Sequence, residues 1–146
     1  LLQNEKSMGT FMQKILVQNA FDIELVRRKM LKKGDIRQIE VDFLVDTGAY
    51  MMCINENIQS QLDLPLAGEH EVELADGTMK KLRMVTGLEI KIFNRRMVAD
   101  ALVLPGDTEP LLGSIPLEAL DLLIDPLEGA LKLPPDRPYL ARTLLK

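Results

Sequence analysis

The sequence predicts a single, mainly β domain of about eight short strands with two or three short helices. Three stretches carry that prediction. Between Ile39 and Val45, Ile39, Val41, Phe43 and Val45 alternate with Glu40, Asp42 and Leu44, the period of a strand with one buried face. Around Asp76-Gly77, a turn dipeptide, Val72 and Leu74 alternate with Glu71 and Glu73 on one side, and Leu82 and Met84 with Lys81 and Arg83 on the other. Leu88–Phe93 and Met97–Leu104 read as two more strands, separated by Asn94-Arg95-Arg96.

The remaining elements follow in chain order. Leu1–Ser7 reads as a leader left by cloning or trimming, with Met8 as the natural start. Thr10–Gln18 reads as a first strand. Asn19 is placed to cap a helix over Phe21–Leu31, stopped by Gly34, although a second strand also fits this stretch. Its basic run, Arg27, Arg28, Lys29, Lys32 and Lys33, reads as a solvated helix face rather than an anion site. Met51–Ile54 is a short returning strand, and Asn55 caps a helix over 56–62. Pro105-Gly106-Asp107 marks a loop, and Ser114-Ile115-Pro116 opens a helix reaching Leu120. Leu122–Ile124 and Ala130–Leu133 flank a last hairpin in which Asp125, before Pro126, is a turn residue rather than a catalytic acid. The tail from Pro134 carries Leu140, Leu144 and Leu145, apolar enough to pack on something. Residues 1–36 are expected to form an N-terminal segment packed on a domain of residues 37–146.

Bulk properties exclude several function classes. Eighteen basic and twenty-two acidic residues leave a net charge of −4, which offers no electrostatic case for nucleic acid. No apolar run approaches membrane-spanning length. Cys53 is the only cysteine, so no internal disulfide forms; a reducing, cytoplasmic setting is expected. Its apolar flanks mark it as a buried, inert thiol and not a nucleophile. No metal-ligand spacing and no phosphate-cradling loop is present, so neither metal nor cofactor is expected.

The chemistry-bearing stretch is the end of the 39–45 strand. It runs directly into Asp46-Thr47-Gly48-Ala49: a carboxylate presented at a turn, beside a hydroxyl and a glycine that permits close approach. Downstream, Leu111-Leu112-Gly113 ends another apolar run. Together these two motifs resemble the aspartic peptidases of the small retroviral (retropepsin-like) type, over roughly residues 37–133. After Leu-Leu-Gly the chain has Ser114 where viral members often carry a basic residue, and Tyr50 and Met51 stand where they carry acids. It therefore looks closer to cellular and bacterial relatives.

The resemblance implies a retropepsin-like acid-protease barrel with short helices, one lobe per chain and dimeric. It implies Asp46 as the catalytic carboxylate. Thr47 would bond across the dimer, and Gly48 would offer its carbonyl to substrate. Ala49 would contact substrate, as would Ala75, Asp76 and Gly77 at the tip of a flap. Leu111, Leu112 and Gly113 would brace the Asp46 loop from below. Aspartic-peptidase chemistry needs two carboxylates sharing one proton, and one Asp-Thr-Gly per chain supplies a pair only in a homodimer. The expected activity is hydrolysis of peptide or protein substrates by a water held between two Asp46 side chains. The competing expectation is a non-catalytic dimerisation or peptide-binding module that keeps the fold with an idle Asp46. A third reading, a monomeric β-rich binding domain, leaves Leu111-Leu112-Gly113 unexplained.

Overall fold

The computed structural model describes residues 10–145. Its strands are β1 (Thr10–Asn19), β2 (Gln38–Asp46), β3 (Met52–Asn55), β4 (Leu66–Glu73), β5 (Met79–Ile92), β6 (Arg95–Leu104), β7 (Leu111–Leu112), β8 (Leu123–Asp125) and β9 (Ala130–Lys132). Three α-helices are interspersed: α1 (Ala20–Arg27), α2 (Glu56–Leu62) and α3 (Ser114–Leu120). The chain is thus mainly β with short helices, in one lobe, as expected.

Seven strands form one sheet in the order β1-β2-β7-β3-β6-β5-β4. A second pairing of β1, Leu16–Asn19 against Leu88–Lys91 of β5, brings the sheet round on itself. The closed set is β1-β2-β7-β3-β6-β5, which removes most free edges. The stretch set apart above as N-terminal therefore supplies a strand paired with both β2 and β5. Ile15, Val17, Phe43, Val45, Ile54, Leu88, Ile90 and Leu112 fill the interior, all fully buried.

Local chemistry places most element ends. Asn19 Oδ1 accepts from the N–H groups of Phe21 and Asp22 and caps α1; Asn55 Oδ1 accepts from Ile58 and caps α2. The helix predicted to reach Leu31 and stop at Gly34 ends at Arg27 instead. The cause is a left-handed turn at Lys29 (φ 60°): Met30 N–H donates to Leu25 O and Lys29 N–H to Val26 O, the paired bonds of a Schellman terminus. The basic run is partly neutralised, since Glu24 pairs with both Arg27 and Arg28. Asp22, buried, holds Arg37 through both carboxylate oxygens and ties α1 to the start of β2; the guanidinium keeps this carboxyl below its usual range.

The second correction concerns β5. The hairpin around Asp76-Gly77 forms as read, with Glu71 facing Lys81 and Val72 facing Lys80. Its returning strand does not stop at residue 85 but runs unbroken to Ile92, absorbing the separate strand predicted at 88–93. An irregularity between Val85 and Leu88, at Gly87 (φ 85°), shifts the register and lets one strand serve two partners along one edge, β4 first and β1 second. Among the described residues no ion pair links the facing charges of this hairpin. Arg83 reaches Glu56 on α2 at 3.4 Å instead of the facing Glu69.

The apolar tail is not packed away. Tyr139, Leu140, Leu144 and Leu145 are all exposed. The chain before them is nonetheless tied down, because Arg137 grips Asp121 at 2.6 and 2.8 Å and the buried Arg95 donates to the Arg137 carbonyl.

Candidate active site

The Asp46 turn is built by a strand crossing. β7 lies between β2 and β3, parallel to the first (Leu44 beside Leu111, Val45 beside Leu112) and antiparallel to the second (Cys53 beside Leu111). β2 and β3 cannot pair directly, because a two-residue strand separates them. The connecting loop, residues 47–51, must therefore pass over the end of β7. Leu44 N–H donates to Pro110 O at 2.9 Å and fixes the entry to β7.

Gly113, immediately after β7, is where the two chain segments touch. A Cβ there would lie 2.6 Å from the Met51 carbonyl oxygen and 2.6 Å from the Tyr50 carbonyl carbon. Only glycine fits such an approach. The first N–H groups of α3 then close on the same loop: Ser114 donates to Ala49 O at 2.9 Å and Ile115 to Tyr50 O at 3.1 Å. Leu111, Leu112 and Gly113 thus lie beside the Asp46 loop, with Leu112 fully buried.

Asp46 ends β2 and is 6% exposed. Its Oδ1 accepts from Gly48 N–H at 2.9 Å and its carbonyl from Ala49 N–H at 3.1 Å, so the carboxylate is held by the turn it opens. Thr47 and Gly48 are exposed beside it, and Tyr50 is exposed on the same loop. One carboxylate per chain is present at this turn.

The other sequence-selected residues lie elsewhere. Ala75, Asp76 and Gly77 form the exposed end of the β4–β5 hairpin, where Thr78 N–H donates to Asp76 Oδ1 at 2.9 Å. The Thr78 hydroxyl, and after it this backbone bond, lower the Asp76 carboxyl below its usual range. No hydrogen bond joins these three residues to the Asp46 turn among the described residues. The root of the hairpin does reach it: Val72, Leu82 and Met84 pack with Cys53, Leu102, Met51 and Leu111 in a small second core. Cys53 is buried there, and burial pushes its thiol up to about 11, in keeping with an inert role. Asp125 accepts from the N–H groups of Leu127 and Glu128, as a turn residue does.

Two features escaped sequence reasoning. An open hollow of about 250 Å³ borders the site, lined by Thr47, Ser114, Glu118 and the apolar side chains of Leu117, Leu122, Leu123 and Ile124. Its residues come from three separate segments, so no local pattern announces it. Asn55 does more than cap α2: its Nδ2 donates to Thr108 O at 2.9 Å and fixes the loop leading to β7. Among the described residues no group of three His, Cys, Asp or Glu could hold a metal ion, and no helix is long and apolar enough to cross a membrane.

The crossing of β2, β7 and β3 under an Asp-Thr-Gly turn is the frame of a single aspartyl protease lobe. A family model described as "gag-polyprotein putative aspartyl protease" matches residues 33–118, more than half of the chain, from the approach to β2 into α3. The chain belongs to this retropepsin-like aspartyl protease family. No curated protein matches it.

Proposed function

We propose that the protein is a homodimeric aspartic endopeptidase whose catalytic pair is Asp46 from each of two copies. The observation that carries this reading is the Asp46 turn: a buried carboxylate at a strand end, with one oxygen engaged by Gly48 N–H and the other given no hydrogen bond among the described residues. Two carboxylates facing each other across a dimer axis share one proton, because like charges that close cannot both ionise.

In the dimer, a two-fold axis passes between the two Asp46 turns, and Thr47, exposed beside each, bonds across it. The two carboxylates hold one proton and one water. The ionised carboxylate takes a proton from the water as its oxygen attacks the scissile carbonyl carbon. The protonated one hydrogen-bonds the carbonyl oxygen as negative charge grows there. Collapse of the tetrahedral intermediate breaks the C–N bond, with a proton passing to the leaving amine. No metal or cofactor enters this scheme.

The substrate is a peptide in extended form, laid as an added strand between the Asp46 loop and the β4–β5 hairpin, which acts as the flap. Ala75, Asp76 and Gly77 are its tip, and Gly48 and Ala49 offer backbone groups from below. The proposed catalytic residues all lie beyond residue 37, and β1, paired with β2 and β5, completes the barrel that carries them.

The test is cleavage of a mixed peptide library from about pH 4 to 7, the range expected for a proton-sharing carboxylate pair. Wild type, Asp46→Asn, and wild type with a statine inhibitor are compared, with sedimentation to establish the dimer. Asn keeps an Oδ1 acceptor for Gly48 N–H, so the variant folds while cleavage falls at least about 1,000-fold. A folded, dimeric wild type that cleaves nothing would favour a peptide-binding module; a monomer would count against both.

A further inference from the structure

The β4–β5 hairpin is charged very differently on its two faces. In the register of this hairpin, Glu69 faces Arg83, Glu71 faces Lys81 and Glu73 faces Met79; these share one face. His70 faces Leu82 and Val72 faces Lys80, and these share the other. Leu74, whose N–H bonds to Thr78 O, continues that second face towards the tip. The second face is the one turned to the Asp46 side, because Val72, Leu82 and Met84 pack on Met51, Cys53 and Leu111.

All three strand glutamates therefore lie on the face opposite the Asp46 side, and Lys80 lies on the face turned to it. Lys80 is exposed and forms no ion pair among the described residues. It lies past the buried Leu82, towards the tip, directly across from the half-buried Val72. Side chains paired in this way have Cβ atoms about 5 Å apart. A cation and an aliphatic surface thus stand side by side, with exposed Leu74 beyond them.

We propose that Lys80 selects a glutamate side chain in the peptide substrate. The inference rests on the reading of the hairpin as the flap of a peptidase. An extended peptide directs alternate side chains towards the flap. At the position beneath Lys80 and Val72, the methylenes of a glutamate lie on Val72 and its carboxylate meets the Lys80 ammonium. Aspartate is too short to make both contacts, and lysine meets a like charge. Along the same face of the substrate, the neighbouring position towards the tip meets Leu74 and takes an apolar side chain. The substrate class is therefore an extended peptide with a glutamate two residues from an apolar side chain.

The experiment uses the full chain and a series of fluorogenic peptides that place Glu, Gln or Lys at each position around the scissile bond. Wild type is expected to favour Glu over Lys at one position by about fivefold in kcat/KM, the size expected for a solvent-exposed charge contact. Lys80→Glu should reverse that preference and Lys80→Met should flatten it. Lys81→Glu, on the opposite face, should leave it in place. The same peptides are titrated against the Asp46→Asn protein with and without each Lys80 change, which reads the preference as Kd without cleavage. Cleavage with a preference unmoved by Lys80→Glu overturns the Lys80 inference and leaves the peptidase standing. A charge preference in binding without any cleavage does the reverse. Neither binding nor cleavage of any peptide overturns both.

Discussion

Gly113 and Met51 are in backbone contact: a Cβ on Gly113 would fall 2.6 Å from the Met51 carbonyl oxygen. This contact holds the end of β7 under the loop that carries Asp46. Neither side can yield cheaply, because the opposing atoms are backbone and the loop is also bonded to α3 through Ser114 and Ile115. Gly113→Ala is therefore expected to cost about 2–3 kcal/mol and to lower Tm by roughly 5–10 °C, with loss of any cleavage activity. Gly34→Ala, where an added Cβ meets nothing within 4 Å, is the control and should change stability by less than about 0.5 kcal/mol. Thermal denaturation of both variants decides the matter.

Asn55 joins two parts of the site's support. Its Oδ1 caps α2 and its Nδ2 holds the Thr108 carbonyl in the loop before β7. Removing both bonds in Asn55→Ala should cost about 2 kcal/mol, more than a cap alone. Asn55→Asp keeps the cap acceptor but loses the donor to Thr108, so urea denaturation should place it between wild type and the alanine variant.

Cys53 should be almost unreactive in the folded protein. With the thiol pushed up to about 11 by burial, from an ordinary value near 9, the thiolate fraction near neutral pH is about two orders of magnitude below that of an exposed cysteine. Labelling with a thiol reagent should be slow in buffer and rapid in denaturant. Fast labelling of native protein would show that the small core over β3 opens readily.

Asp121 anchors the C-terminal tail. The Arg137 guanidinium, helped by the Arg142 N–H and by Arg95, holds its carboxyl well below the usual carboxylate range. The folded value lies below the unfolded one, so the stabilisation is fully present above about pH 4 and is lost as pH falls through the folded value. Protection of the Arg142 amide from hydrogen exchange should thus persist into mild acid. Asp121→Asn should lose that protection at every pH while leaving the core amides of β2 and β5 protected.

Much of this protein was legible because short-range chemistry wrote it. Alternation named β2, Asn19 and Asn55 announced their helices by capping, and Asp76-Gly77 marked its hairpin; each depends only on residues a few positions apart. Asp46 and Leu111-Leu112-Gly113 could be selected as motifs. Their roles in the fold could not be derived from pattern, since β7 is only two residues long and has no period to read.

By itself, then, the sequence determined where strands and caps begin and which carboxylate stands at a strand end, because backbone preferences and side-chain periodicity act locally. The tertiary structure alone decided which strands meet. It set β7 between β2 and β3, closed β1 onto β5 and carried β5 through Gly87. It also set the strand glutamates of the hairpin and Lys80 on opposite faces. Those outcomes rest on hydrogen bonds and apolar contacts between residues far apart in the chain, where the choice of partner is made by the packing of the whole barrel.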